Sequence, residues 1–92
     1  TRDRITAEIR DTHSALAAAA AQVEQASRNV ILAAALEDAE RLRFRQGAAD
    51  LLALQIREQA TFDARLTELD TYLEYFRSLA NYRAAVVGQP GL

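Results

Sequence analysis

LRFRQGAADLLALQ, residues 42–55, sets arginines before a glycine and leucines after it, and Gly47 is the only glycine ahead of residue 88. Elsewhere the chain is rich in Ala, Leu, Arg, Glu and Gln, the residues that lose least on entering a helix. The other strong breakers are confined to the closing VVGQPGL, residues 86–92. This punctuation predicts a first helix over about 3–46, a turn at 47–49, a second helix over about 50–87 and a tail at 88–92. Each helix would be on the order of 60 Å long at about 1.5 Å per residue. So short a connection makes the two antiparallel, and the fold class is all-α: one long helical hairpin of coiled-coil type, expected to associate into a larger helical bundle or barrel. Gly47 suits the left-handed cap of the first helix, which only a residue without Cβ adopts cheaply. Asp50 suits the N-cap of the second, its carboxylate accepting from free backbone N–H groups. Arg41, Arg43 and Arg45 fall where the first helix's dipole is negative, and Glu37 with Arg41 and Glu40 with Arg43 have the spacing of surface ion pairs.

The apolar periodicity indicates how the helices are used. In the first, Ile9, Leu16, Val23 and Val30 recur every seven residues, a series that continues through Glu37 to Phe44, and Ile5, Thr12, Ala19, Ala26 and Ala33 complete the seam. In the second, Leu66, Leu73, Ala80 and Val87 form one row and Phe62, Leu69 and Phe76 the other, which is enough to zip a hairpin. A further set, Tyr72, Leu79 and Val86 with Tyr75 and Tyr82, is turned away from that seam. The expected helix-packing interface is thus Phe62, Leu66, Leu69, Tyr72, Leu73, Phe76, Leu79 and Tyr82. A helix apolar on more than one side asks for burial on more than one side, which two helices cannot supply, so association with further hairpins is expected.

Composition narrows the function. Half of the 92 residues are hydrophobic, but twenty of these are alanine, so a large private core is not expected. Eleven arginines and no lysine stand against thirteen carboxylates, and a formal charge of -2 does not call for nucleic acid. The longest apolar stretch, around Val30 to Ala39, is broken by Glu37 and Asp38 and is far short of the roughly 20 residues a membrane span needs. With no methionine and a first residue of Thr1, the chain reads as a processed form or a piece of something longer. Cysteine is absent and His13 is the only histidine, so no metal set is expected, and His13 reads as an exposed or interface side chain. No glycine-rich loop follows a strand and no Ser has a plausible base, so neither catalysis nor a cofactor is expected. Tyr72, Tyr75 and Tyr82 lack the positive charge that base stacking would need and read as interhelical packing.

Three stretches carry a resemblance: AEIRDTHSALAAAAAQVEQASRNV, then ERLRFRQGAADLLALQIREQATFDARL across the turn, then LEYFRSLANYRAAVVG. Their order is similar to the C-terminal periplasmic hairpin of the TolC-like outer-membrane efflux proteins, over roughly residues 3–88. That family has an aromatic three residues before a turn glycine, a leucine-rich stretch leading to a Gln, and an aromatic-x-x-Ala-x-x-x-Gly-like end. Phe44, Gly47, Leu51, Leu52, Gln59, Ala60, Tyr82, Ala85 and Gly88 fit it. The resemblance implies a homotrimeric parent, anchored in the outer membrane by strands absent here, whose long periplasmic helices form an export tunnel. It implies a tip of Arg45, Gln46, Gly47, Ala48, Ala49 and Asp50 that docks a periplasmic adaptor protein working with an inner-membrane pump. Some members carry aspartates after the turn that constrict the entrance; Asp50 alone stands there, with Ala53, Leu54 and Ile56 following. Two other readings stay open. One is a free-standing antiparallel coiled coil that scaffolds or dimerises other proteins; the other is the adaptor's own hairpin, which the missing lipoyl-like flanks disfavour.

Overall fold

The computed structural model describes residues 2–88. It contains two helices, α1 (Arg2–Arg45) and α2 (Leu51–Val87), laid against each other as an antiparallel hairpin 69 × 14 × 13 Å in extent. The radius of gyration is 20.5 Å, against about 12 Å for a compact domain of this length. The accessible surface is 6817 Å², where a compact monomer of this mass would expose about 5,300 Å². The shape follows from the sequence: with no breaker for more than forty residues on the first arm, nothing folds the rod back on itself.

The connection is a Schellman turn. Gly47 adopts φ 77°, the only positive φ among the described residues. The amide of Ala48 donates to the carbonyl of Arg43 at 2.8 Å and that of Gly47 to Phe44 at 3.0 Å, so two of the last carbonyls of α1 are satisfied by the turn. Asp50 is extended, and its carboxylate accepts from the Ala53 amide at 2.8 Å, opening α2 one residue later than the alanine and leucine content suggests. At the far end Gly88 closes α2 by donating to the Ala84 carbonyl at 2.9 Å. The rest of the expected tail, 89–92, lies outside the described residues.

On α1 the expected seam is the one that meets α2 as far as Glu37, whereas Phe44, the last expected member of its row, is exposed. Ile5, Ile9, Thr12, Leu16, Val23, Val30 and Ala33 are half-buried, and Ala19 and Ala26 are buried with 4% of their surface accessible. The expected α2 seam is not the one used. Phe62, Leu66, Leu69, Leu73 and Phe76 are all exposed, and the residues turned toward α1 are Leu54, Thr61, Glu68, Tyr75 and Tyr82 on one heptad row and Ala64, Thr71, Ser78 and Ala85 on the other. The physical reason is steric. A turn this short holds the helices close, Ala19, Ala26 and Ala33 of α1 permit it, and the row Ala64, Thr71, Ser78 and Ala85 gives α2 small residues at alternate seam positions of its own. Thr12, Thr61 and Thr71 pack there because their hydroxyls donate to carbonyls of their own helix, at 3.0 to 3.1 Å for Thr12, 3.1 Å for Thr61 and 2.7 Å for Thr71. The Ser27 hydroxyl donates across the seam to Glu68 at 2.7 Å, and His13 stands edge-on to Tyr82 with ring centroids 5.6 Å apart. Those two pairs, far apart along the rod, fix one register between the helices.

Candidate docking surfaces

Two surfaces are built by this fold: the tip and the back of α2. At the tip, Arg45, Gln46, Gly47, Ala48 and Asp50 are exposed and Ala49 is half-buried. Three of the six have cap chemistry to perform, which accounts for their identity before any partner is invoked. Gly47 supplies the left-handed conformation and Asp50 accepts an N–H. Ala48 anchors the turn twice, donating its amide to Arg43 and accepting from the Arg43 guanidinium at 3.3 Å. Around this turn Leu42, Phe44, Leu51, Leu52 and Ile56 are exposed, so the end of the rod has an apolar collar beneath a small polar cap. Exposed apolar side chains gathered at the end of a long element are the usual mark of a contact surface.

Just below the collar the charges are paired. Arg41 contacts Glu37 in a close ion pair and Asp38 at 3.1 Å, and Arg43 lies 3.8 Å from Glu40. The Arg41 guanidinium, donating to Glu37, holds that carboxyl below its ordinary value of 4.5, with help from the Thr61 hydroxyl. That hydroxyl has a single proton, which the Glu37 carboxylate and the Arg57 carbonyl share. The same pairing raises the Arg41 pKa further, so neither group changes charge near neutrality. Glu37, Arg41 and Thr61 therefore form a polar layer where an apolar α1 row would otherwise continue, and they stiffen the rod behind the tip.

The second surface is the stripe Phe62, Leu66, Leu69, Leu73 and Phe76. On a 3.5-residue repeat it lies about 150° round α2 from the seam. The expected helix-packing set is thus divided: these five face outward, Tyr72 is exposed on their flank, and Leu79 and Tyr82 are half-buried at the hairpin seam. Sequence reasoning missed Ser27, Thr61 and Glu68 as seam residues because polar side chains were read as solvated. The signal that could have found them is the heptad row Leu54, Thr61, Glu68, Tyr75 and Tyr82, whose period is as strict as that of the leucine row.

Among the described residues no three His, Cys, Asp or Glu side chains gather as a metal site would need, and no helix is long and apolar enough to cross a membrane. An open end-groove of about 610 Å³ lies between the helices near Ile5, Thr12 and Ala85. A smaller apolar groove of about 290 Å³ runs beside Leu16, Leu79 and Tyr82. The class these features define is an antiparallel helical hairpin of coiled-coil type. No protein-family model matches the chain, and comparisons with characterised proteins and with solved structures return no match.

Proposed function

We propose that this chain is a periplasmic hairpin of an outer-membrane efflux or secretion channel of the TolC-like kind, a length of tunnel wall that ends in a docking tip. The observation that carries the reading is the tip: Phe44, the positive-φ Gly47, and Leu51 with Leu52 are exposed together at one end of a 69 Å rod. A rod with a capped, apolar-collared end is suited to meeting a partner end-on, here a periplasmic adaptor coupled to an inner-membrane pump. The apolar back of α2 supports the wall role, since an apolar face on the side away from α1 needs a second neighbour to cover it. The parent would be a homotrimer, and the work mechanical: holding a conduit open or shut for export.

The coding sequence on both sides of the segment tests this directly. A signal peptide, alternating strands and an earlier hairpin with its own turn glycine are expected. Flanking domains of another kind would reject the channel and leave the second reading, a free-standing antiparallel coiled coil that scaffolds other proteins. That reading draws on the cross-seam Ser27–Glu68 bond and the aromatic pair of His13 with Tyr82, which hold the two helices in register without neighbours.

A further inference from the structure

We infer that the outward stripe of α2 is a self-complementary surface, and that in solution the 92-residue chain pairs through it with a second copy running in the opposite direction, giving a two-fold four-helix bundle. The inference goes beyond the channel reading and does not depend on it. In a tunnel wall, where all hairpins point one way, the stripe would be covered by other helices; the pairing proposed here is that of the chain without them.

The argument begins with spacing. Phe62, Leu66, Leu69, Leu73 and Phe76 recur at alternating steps of four and three, the two rows of a heptad seam. Two such rows interlock with those of a copy turned end for end, each residue of one row meeting one of the other, and a two-fold axis repeats every contact. With the axis passing near Thr71, Leu69 meets Leu73 of the second copy, Leu66 meets Phe76, and Phe62 meets the small Ala80. Each contact occurs twice, large against small at the ends.

Charge and packing together select that register. It brings Asp63 beside Arg77 of the second copy, twice, on one flank of the stripe. Asp63 in the single hairpin is held only by Gln59 at 2.9 Å, and Arg77 only by the exposed Glu74 at 3.2 Å, so both are available. Sliding the copies by one heptad one way would set Asp63 against Asp70 and Gln59 against Phe76, and sliding them the other way would bring Asp70 to Arg77 but set Leu66 against Arg83 within the stripe. In the favoured register Asp70 faces its own copy near the axis, a cost that two opposite-charge pairs offset. The other flank brings Tyr72 to Tyr72, each already exposed beside the stripe.

The area is sufficient. The five side chains are between 47% and 59% accessible, and at about 200 Å² for a fully exposed large side chain they offer roughly 500 Å² per copy. A stable interface takes about 800 Å² from each partner, and Tyr72, Ala80 and the stems of Asp63 and Arg77 supply the remainder. A patch of this size is at the upper end of what a monomer exposes, where such patches often serve as contact surfaces.

The chain has no cysteine, so one can be placed at will. The test is sedimentation equilibrium of the full chain together with spin-label distances from Ala48→Cys at the tip and Thr67→Cys near the axis. A dimer is expected, with tip labels on the order of 60 Å apart, since each tip is about twenty residues from the axis at about 1.5 Å per residue, and Thr67 labels much closer. Leu69→Lys should leave helicity unchanged and weaken the dimer at least tenfold. Asp63→Arg should weaken it at low salt, and Asp63→Arg combined with Arg77→Asp should restore it. A monomer at all accessible concentrations would overturn the inference, as would a dimer with tips close together or one indifferent to Leu69→Lys. None of these outcomes bears on the flanking sequence that tests the channel reading.

Discussion

The two helices of this hairpin use their apolar residues in opposite ways. On α1 a regular row of Ile, Leu and Val faces the partner helix, with Ala19 and Ala26 buried beside it. On α2 a row of leucines and phenylalanines faces away, and the partner helix meets Leu54 together with threonine, serine, glutamate, alanine and tyrosine instead. The comparison teaches that the closest heptad row, not the most apolar one, zips a hairpin whose turn is short. A leucine or phenylalanine stripe on α2 would push the helices apart and lose the contacts that Ala19 and Ala26 make. Hydrophobicity left over from that choice is placed on the outside, where only another helix can cover it.

The comparison breaks most readily at the seam. Leu54→Ala removes the only large apolar side chain that is buried among the described residues and should cost about 2 kcal/mol or more in thermal unfolding. Ala26→Leu, which adds bulk where the helices touch, should cost about 1–3 kcal/mol. Equal tolerance of Ala26→Leu and of a similar change on the outer face would show that the helices do not approach closely. At the turn, Asp50→Ala should cost about 1 kcal/mol through the lost cap. Gly47→Val should cost about the same or more because a β-branched residue resists positive φ, with Gly47→Asn milder. Indistinguishable melts for the two glycine variants would argue against the left-handed cap.

The outer stripe is expected to give the smallest change. Leu69→Ala, melted below the concentration at which copies associate, should move hairpin stability by less than about 0.5 kcal/mol. A loss comparable to that of Leu54→Ala would place Leu69 inside the fold and erase the contrast. Acid sharpens the same contrast, because the seam holds a carboxylate and the stripe does not. The Glu37 carboxyl sits below its ordinary value of 4.5 in the folded chain, chiefly through Arg41. Its stabilising contribution is therefore complete above that ordinary value and is lost as pH falls through the lowered one. A Tm followed from pH 6 downward should fall on the acid side of about 4.5, and Glu37→Gln should reduce that slope. An unchanged slope would remove the Glu37, Arg41 and Thr61 layer from the list of stabilising contacts.

Much of the tip was legible before any coordinates. Gly47 and Asp50 are residues whose backbone and side-chain chemistry act within one turn of the chain, so their roles as cap and N-cap follow from local sequence. The same holds for the ion pairs of Glu37 with Arg41 and Glu40 with Arg43, whose partners are one helical turn away. The polar half of the seam was not legible, because Ser27 and Glu68 are forty-one residues apart and nothing in either neighbourhood marks them as partners. The docking role proposed for the tip rests on its exposed collar and its resemblance, whereas its geometry rests on caps alone.

By itself the sequence determined that there are two helices, where they stop and that they run antiparallel. It also determined which face of α1 is turned inward, because that helix has a single strong apolar period. Which face of α2 meets α1 was decided only by the tertiary structure. That helix has two heptad-spaced faces, and periodicity cannot rank them. The ranking comes from packing along the whole rod, where the face that carries Ala64, Thr71 and Ser78 between its larger residues meets the alanines of α1, and the leucine and phenylalanine row is left outside.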